Sequence, residues 1–104
     1  MVGVSETQEL IARLWARFQP LALERARLVV AYLQDDAADG TRHAAARQAA
    51  HDLVGSLGSY GRPEGSVLAR RLEEVLGAEP AALAVAGRAE ALTLAAALES
   101  EVAR

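Results

Sequence analysis

Apolar residues recur at helical intervals along nearly the whole chain, and the polar breaks between them divide it into five predicted helices. Ser5 and Gln8 have capping-box spacing, and Leu10, Ile11, Leu14 and Phe18 follow, which predicts a first helix from about 6 to 18. Pro20 at a first helical position, with Leu21, Leu28 and Leu33 after it, predicts a second that runs out in the polar stretch 35–40. Thr41 is placed to cap a third helix over 42–59, whose core stripe is Ala46, Ala50, Leu53 and Leu57. Gly61-Arg62-Pro63 breaks the chain before a fourth helix marked by Val67, Leu68, Leu72, Val75 and Leu76 and closed at Gly77. A fifth is predicted over 80–102, with Leu83, Leu92, Leu94 and Leu98 in an alanine background and Gly87 as its weak point. No strand candidate and no internal repeat emerge, and the connections are short. The expected architecture is all-α: an antiparallel four-helix bundle with an additional helix, in one domain spanning 1–104.

Composition sharpens this picture. Hydrophobic residues make up 52% of the 104 positions but aromatic ones only 4%, so the core must be filled by Ala and Leu, with Trp15 and Phe18 as larger fillers on the first helix. There is no cysteine, which removes disulfides, thiolate nucleophiles and Cys-based metal sites. The net charge is −3 and every basic residue is arginine, a balance that argues against a general grip on nucleic acid or anionic membranes. No apolar run reaches the roughly 20 residues of a membrane span, and the start lacks a basic segment followed by an apolar one. A cytoplasmic monomer with no membrane and no nucleic-acid partner is expected.

The third helix carries the candidate chemistry. At about 100° per residue its core stripe is centred roughly 130° from His51, which puts that imidazole toward solvent. Ala44, Arg47, Gln48, Val54, Gly55 and Gly58 fall within roughly 60° of it. A glycine inside a helix costs roughly 0.5–1 kcal/mol relative to alanine, and here two occur on one side of a histidine. Either they admit another protein's backbone to the imidazole, or they permit close helix packing and herald the helix end; spacing alone leaves both open.

The run His51-Asp52-Leu53-Val54-Gly55-Ser56-Leu57-Gly58-Ser59-Tyr60-Gly61 resembles the signature of histidine-containing phosphotransfer domains. The downstream segment from Pro63 to the Leu72-Glu73 pair resembles that family's next helix, and the first helices are of its type. The resemblance implies a phosphorelay intermediate: His51 accepts a phosphoryl group through Nε2 from a receiver-domain aspartate and passes it to another receiver. It implies no cofactor on the bundle itself, since the Mg²⁺, the acidic pocket and a lysine come from the receiver. Response-regulator receiver domains are the partners implied, with a hybrid histidine kinase as a further candidate, and Ala44, Val54, Gly55 and Gly58 as the docking surface with Leu57 at its margin. Arg47, Gln48 and Val54 fall in the phosphate vicinity. One departure stands out, because the family's usual lysine three residues after the histidine is Val54 here. Arg47, one turn earlier, is placed either to replace that cation or to remain a solvated arginine.

Other readings are weaker. His43 lies eight residues before His51 and about 80° away, so the two cannot share a metal; it is expected at the surface, and no metal site is expected. The glycines of 55–61 follow a helix rather than a strand and lack a phosphate-loop lysine, and no Walker motif supports an autonomous kinase. A helix-turn-helix reading of Arg70-Arg71 conflicts with the acidic charge. The main alternative is a bundle that docks receivers or scaffolds another protein without transferring phosphate.

Overall fold

The computed structural model describes residues 5–35, 40–79, 83 and 87–104. Its described residues form four helices and no strand: α1 (Glu6–Gln34), α2 (Gly40–Ser59), α3 (Pro63–Leu76) and α4 (Arg88–Ala103). Each helix packs against two others, α1 on α2 and α4, and α3 on α2 and α4, so that all four border one core. The molecule is a rod of 56 × 19 × 18 Å.

Its length comes from α1, which corrects the expectation of two helices separated at Pro20. The segment is a single helix of 29 residues with Pro20 inside it. Proline in a helix interior forfeits one backbone hydrogen bond and crowds the carbonyl four residues earlier, a cost of about 3 kcal/mol. The offset is a core stripe that continues on both sides of it: Trp15, Ala22, Ala26, Val29 and Leu33 are buried, while Pro20 itself faces solvent. The start matches the sequence reading. Ser5 Oγ accepts from the Gln8 N–H at 3.0 Å, and the Ser5 N–H donates to Gln8 Oε1 at 3.1 Å.

Helix α2 begins at Gly40, so Thr41 lies in its first turn rather than capping it from outside. Its end is a Schellman closure: the Arg62 N–H donates to the Leu57 carbonyl at 2.8 Å and the Gly61 N–H to that of Gly58 at 3.3 Å. This geometry requires Gly61 at φ +70, where a side chain would be strained. Pro63 then opens α3 at its first position, and Gly77 closes it. Within the predicted fifth helix, residues 80–82 and 84–86 lie outside the described residues; Leu83 is buried, and the described helix begins at Arg88 after Gly87.

The core is built as the composition requires. Ala22, Ala26, Ala46, Ala50, Ala69, Ala91 and Ala95 have no exposed surface, and Leu53, Leu57, Leu72, Leu76 and Leu98 fill the space between them. Backbones approach closely: a Cβ on Gly65 would stand 3.0 Å from Leu57 Cδ1. Trp15 is 9% exposed, as expected for a filler, and Phe18 is partly buried beside it. Both meet Tyr60 beyond the end of α2, with ring centroids 6.1 Å and 5.0 Å away. The Arg62 guanidinium lies 4.5 Å over the Trp15 ring and donates to the carbonyls of Glu101 and Arg104, tying the end of α4 to the α2–α3 turn.

His43 corrects a second expectation. It is not at the surface but 7% exposed, held between three helices. Its Nε2 lies 2.8 Å from the Leu76 carbonyl, which can only accept, so Nε2 carries the proton. In the neutral ring Nδ1 then accepts from the Tyr32 hydroxyl at 2.7 Å. Position 43 continues the 46, 50, 53, 57 stripe backward by one step, and that was the available signal.

Candidate functional site

His51 projects from the middle of α2 with 63% of its side chain exposed. The helix delivers it there because Ala50 and Leu53, either side of it in sequence, are fully buried. Across the α2–α3 groove Glu73 places Oε2 at 2.7 Å from His51 Nδ1, its own side chain only 26% exposed. An ionised carboxylate only accepts, so the ring proton resides on Nδ1 and the neutral imidazole leaves the Nε2 lone pair free. Nε2 is thus the ring nitrogen that the contact with Glu73 leaves unengaged. Glu73 is the neighbour of His51 that helix periodicity missed, since a contact between residues 22 apart depends on the register of two helices.

His51 stands on a ridge between two shallow grooves. One is lined by Ala44, Arg47, Gln48 and Glu73. The other is lined by Asp52, Gly55, Ser56, Ser59 and Tyr60. Of the residues expected around the histidine, Ala44, Arg47, Gln48, Gly55 and Gly58 are exposed, and Val54 is half-buried. Gln48 donates to Asp52 Oδ1 at 2.9 Å, which turns its amide along the helix. The Val54 carbonyl accepts from Ser66 Oγ at 2.8 Å, fixing α3 beside the site. Leu57, expected at the margin of the surface, is instead fully buried in the core.

A Cβ added at Gly55 meets nothing within 4 Å, and one at Gly58 meets only Ser66 Oγ, at an ordinary 3.6 Å. Internal packing requires neither glycine, in contrast to Gly65. Among the described residues no group of His, Asp and Glu is arranged to hold a metal ion, and no helix is long and apolar enough to cross a membrane. No family model matches the chain, and neither the curated proteins nor the solved structures contain a match to it.

Proposed function

We propose that the chain is a histidine phosphotransfer domain, an antiparallel four-helix bundle with an additional helix that relays a phosphoryl group between receiver domains through His51. The observation that carries this reading is the pairing of an exposed imidazole with Glu73, which holds the proton on Nδ1 and leaves Nε2 unprotonated and open to solvent.

The chemistry follows from that arrangement. Nε2 attacks the phosphorus of a receiver's aspartyl phosphate; the N–P bond forms as the acyl O–P bond breaks, and the electron pair returns to the aspartate as carboxylate. The ring gains positive charge in the process, and the Glu73 carboxylate beside Nδ1 stabilises it. Transfer to the next receiver reverses these steps. The receiver supplies Mg²⁺ and the acidic pocket, so the bundle acts as a relay component and not as an autonomous kinase. The flanks of His51 suit an approaching partner: Ala44, Gly55 and Gly58 present little or no side chain, and Val54 adds an apolar edge. Arg47, in the same groove as His51 and Glu73, is the cation placed to neutralise phosphate in the absence of a lysine at position 54. Receiver domains and a hybrid histidine kinase are the proposed partners, in the cytoplasm.

A second reading rests on Val54. A half-buried valine in place of the family's lysine fits a bundle that docks receivers or scaffolds another protein without chemistry. Incubation with a phosphorylated receiver separates the two. Acid-labile, base-stable label on the wild type that is lost in His51→Gln supports transfer; receiver binding with no label supports docking alone.

A further inference from the structure

Four leucines on α1 remain exposed although the helix has a complete core stripe of its own. Leu10, Leu14, Leu21 and Leu28 are 49%, 40%, 41% and 43% exposed. They lie within about 40° of one another around the axis and extend over roughly 27 Å. Leu14, Leu21 and Leu28 are spaced by seven, with Leu10 four before the first, which is the spacing of a helix–helix seam rather than of scattered surface residues. The second row of that seam, positions 10, 17 and 24, carries Leu10, Arg17 and Glu24, so the charged pair sits four positions before Leu21 and three after it. Among the described residues neither takes part in an ion pair or hydrogen bond, whereas Arg25 covers the Phe18 ring and Arg27 pairs with Glu99.

We infer that this stripe is an interface for a second copy of the chain, with the two α1 helices running in opposite directions about a two-fold axis beside Leu21. The stripe is complementary to itself in that arrangement. Leu21 meets the partner's Leu21, Leu14 meets the partner's Leu28, and Arg17 faces the partner's Glu24, an ion pair made twice by symmetry. A parallel pairing sets Arg17 against the partner's Arg17 and Glu24 against the partner's Glu24, and is disfavoured. The charges therefore select both the occupant and its direction. The inferred dimer departs from the monomer expected from the sequence, and it stands independently of the reaction proposed for His51. One helix face per copy is a small interface, which suits weak association that depends on concentration.

Sedimentation equilibrium from micromolar to near-millimolar concentration tests this. The mass is expected to rise from 11.0 kDa toward twice that value. Leu21→Glu, which sets like charges together on the axis, should keep the protein monomeric with unchanged helical circular dichroism. Arg17→Glu and Glu24→Arg should each weaken association about tenfold by opposing like charges, and the double exchange should restore it. A wild type that stays monomeric, or a dimer indifferent to Leu21→Glu and to the charge exchange, overturns the inference. A monomer whose receiver binding falls with Leu21→Glu also overturns it, and assigns the stripe to the receiver.

Discussion

Glu73 Oε2 lies 2.7 Å from Nδ1 of His51, so a carboxylate on one helix sets which nitrogen of an exposed imidazole on the next keeps its lone pair in the neutral ring. Without that contact the two tautomers would share the ring, and Nε2 would be free for only part of the time. With it, the side chain is oriented, and in the transfer proposed above the positive charge gained by the ring would be met by a carboxylate.

Glu73→Gln keeps a hydrogen-bond acceptor but removes the charge, and is expected to slow phosphoryl uptake a few-fold. Glu73→Ala removes both and should slow it about tenfold, in line with about 0.5–1.5 kcal/mol for a partly exposed charge-assisted contact. Single-turnover transfer from a phosphorylated receiver reads both effects. Equal rates in all three proteins would show that the contact does not order the site.

Gly55→Leu tests the open flank. Nothing lies within 4 Å of a Cβ there, and replacing a helical glycine should hold or raise stability by up to about 1 kcal/mol. Transfer should nonetheless be blocked by the bulk beside His51. A thermal melt and a transfer assay on the same preparation check the two halves; unfolding, or undiminished transfer, would contradict the argument.

His43→Ala should destabilise the fold by about 2–4 kcal/mol, since it removes the ring's hydrogen bonds to the Tyr32 hydroxyl and the Leu76 carbonyl and opens a cavity among three helices. The denaturation midpoint checks this. A midpoint equal to wild type would mean that water replaces the imidazole at no cost.

Pro20→Ala should stabilise the protein by about 1–3 kcal/mol, because it restores a backbone hydrogen bond to a continuous helix at an exposed position. Loss of stability would mean that the proline shapes α1 to fit the core.

These residues also mark how far the sequence could be read. The outward placement of His51 was legible, because the stripe that sets it is local to one helix and repeats over four buried positions. The capping box at Ser5 and the turn at Gly61 were legible for the same reason. Pro20 misled because its local cost is real, and only packing on both sides of it decides that α1 continues. His43 lay on the stripe but is polar, and its burial depends on Tyr32 and Leu76 from other helices. Glu73 stood in a recognisable pair with Leu72, yet its partner became visible only once α2 and α3 were set in register.

Phosphorus NMR of the protein mixed with a phosphorylated receiver reads the proposed phosphoryl transfer to Nε2 of His51 at the nitrogen itself. The expected result is a phosphohistidine resonance of the Nε2-linked form, stable to base, lost in acid and absent from His51→Gln. No such resonance on the wild type while the receiver still binds, or the same resonance persisting in His51→Gln, would contradict it.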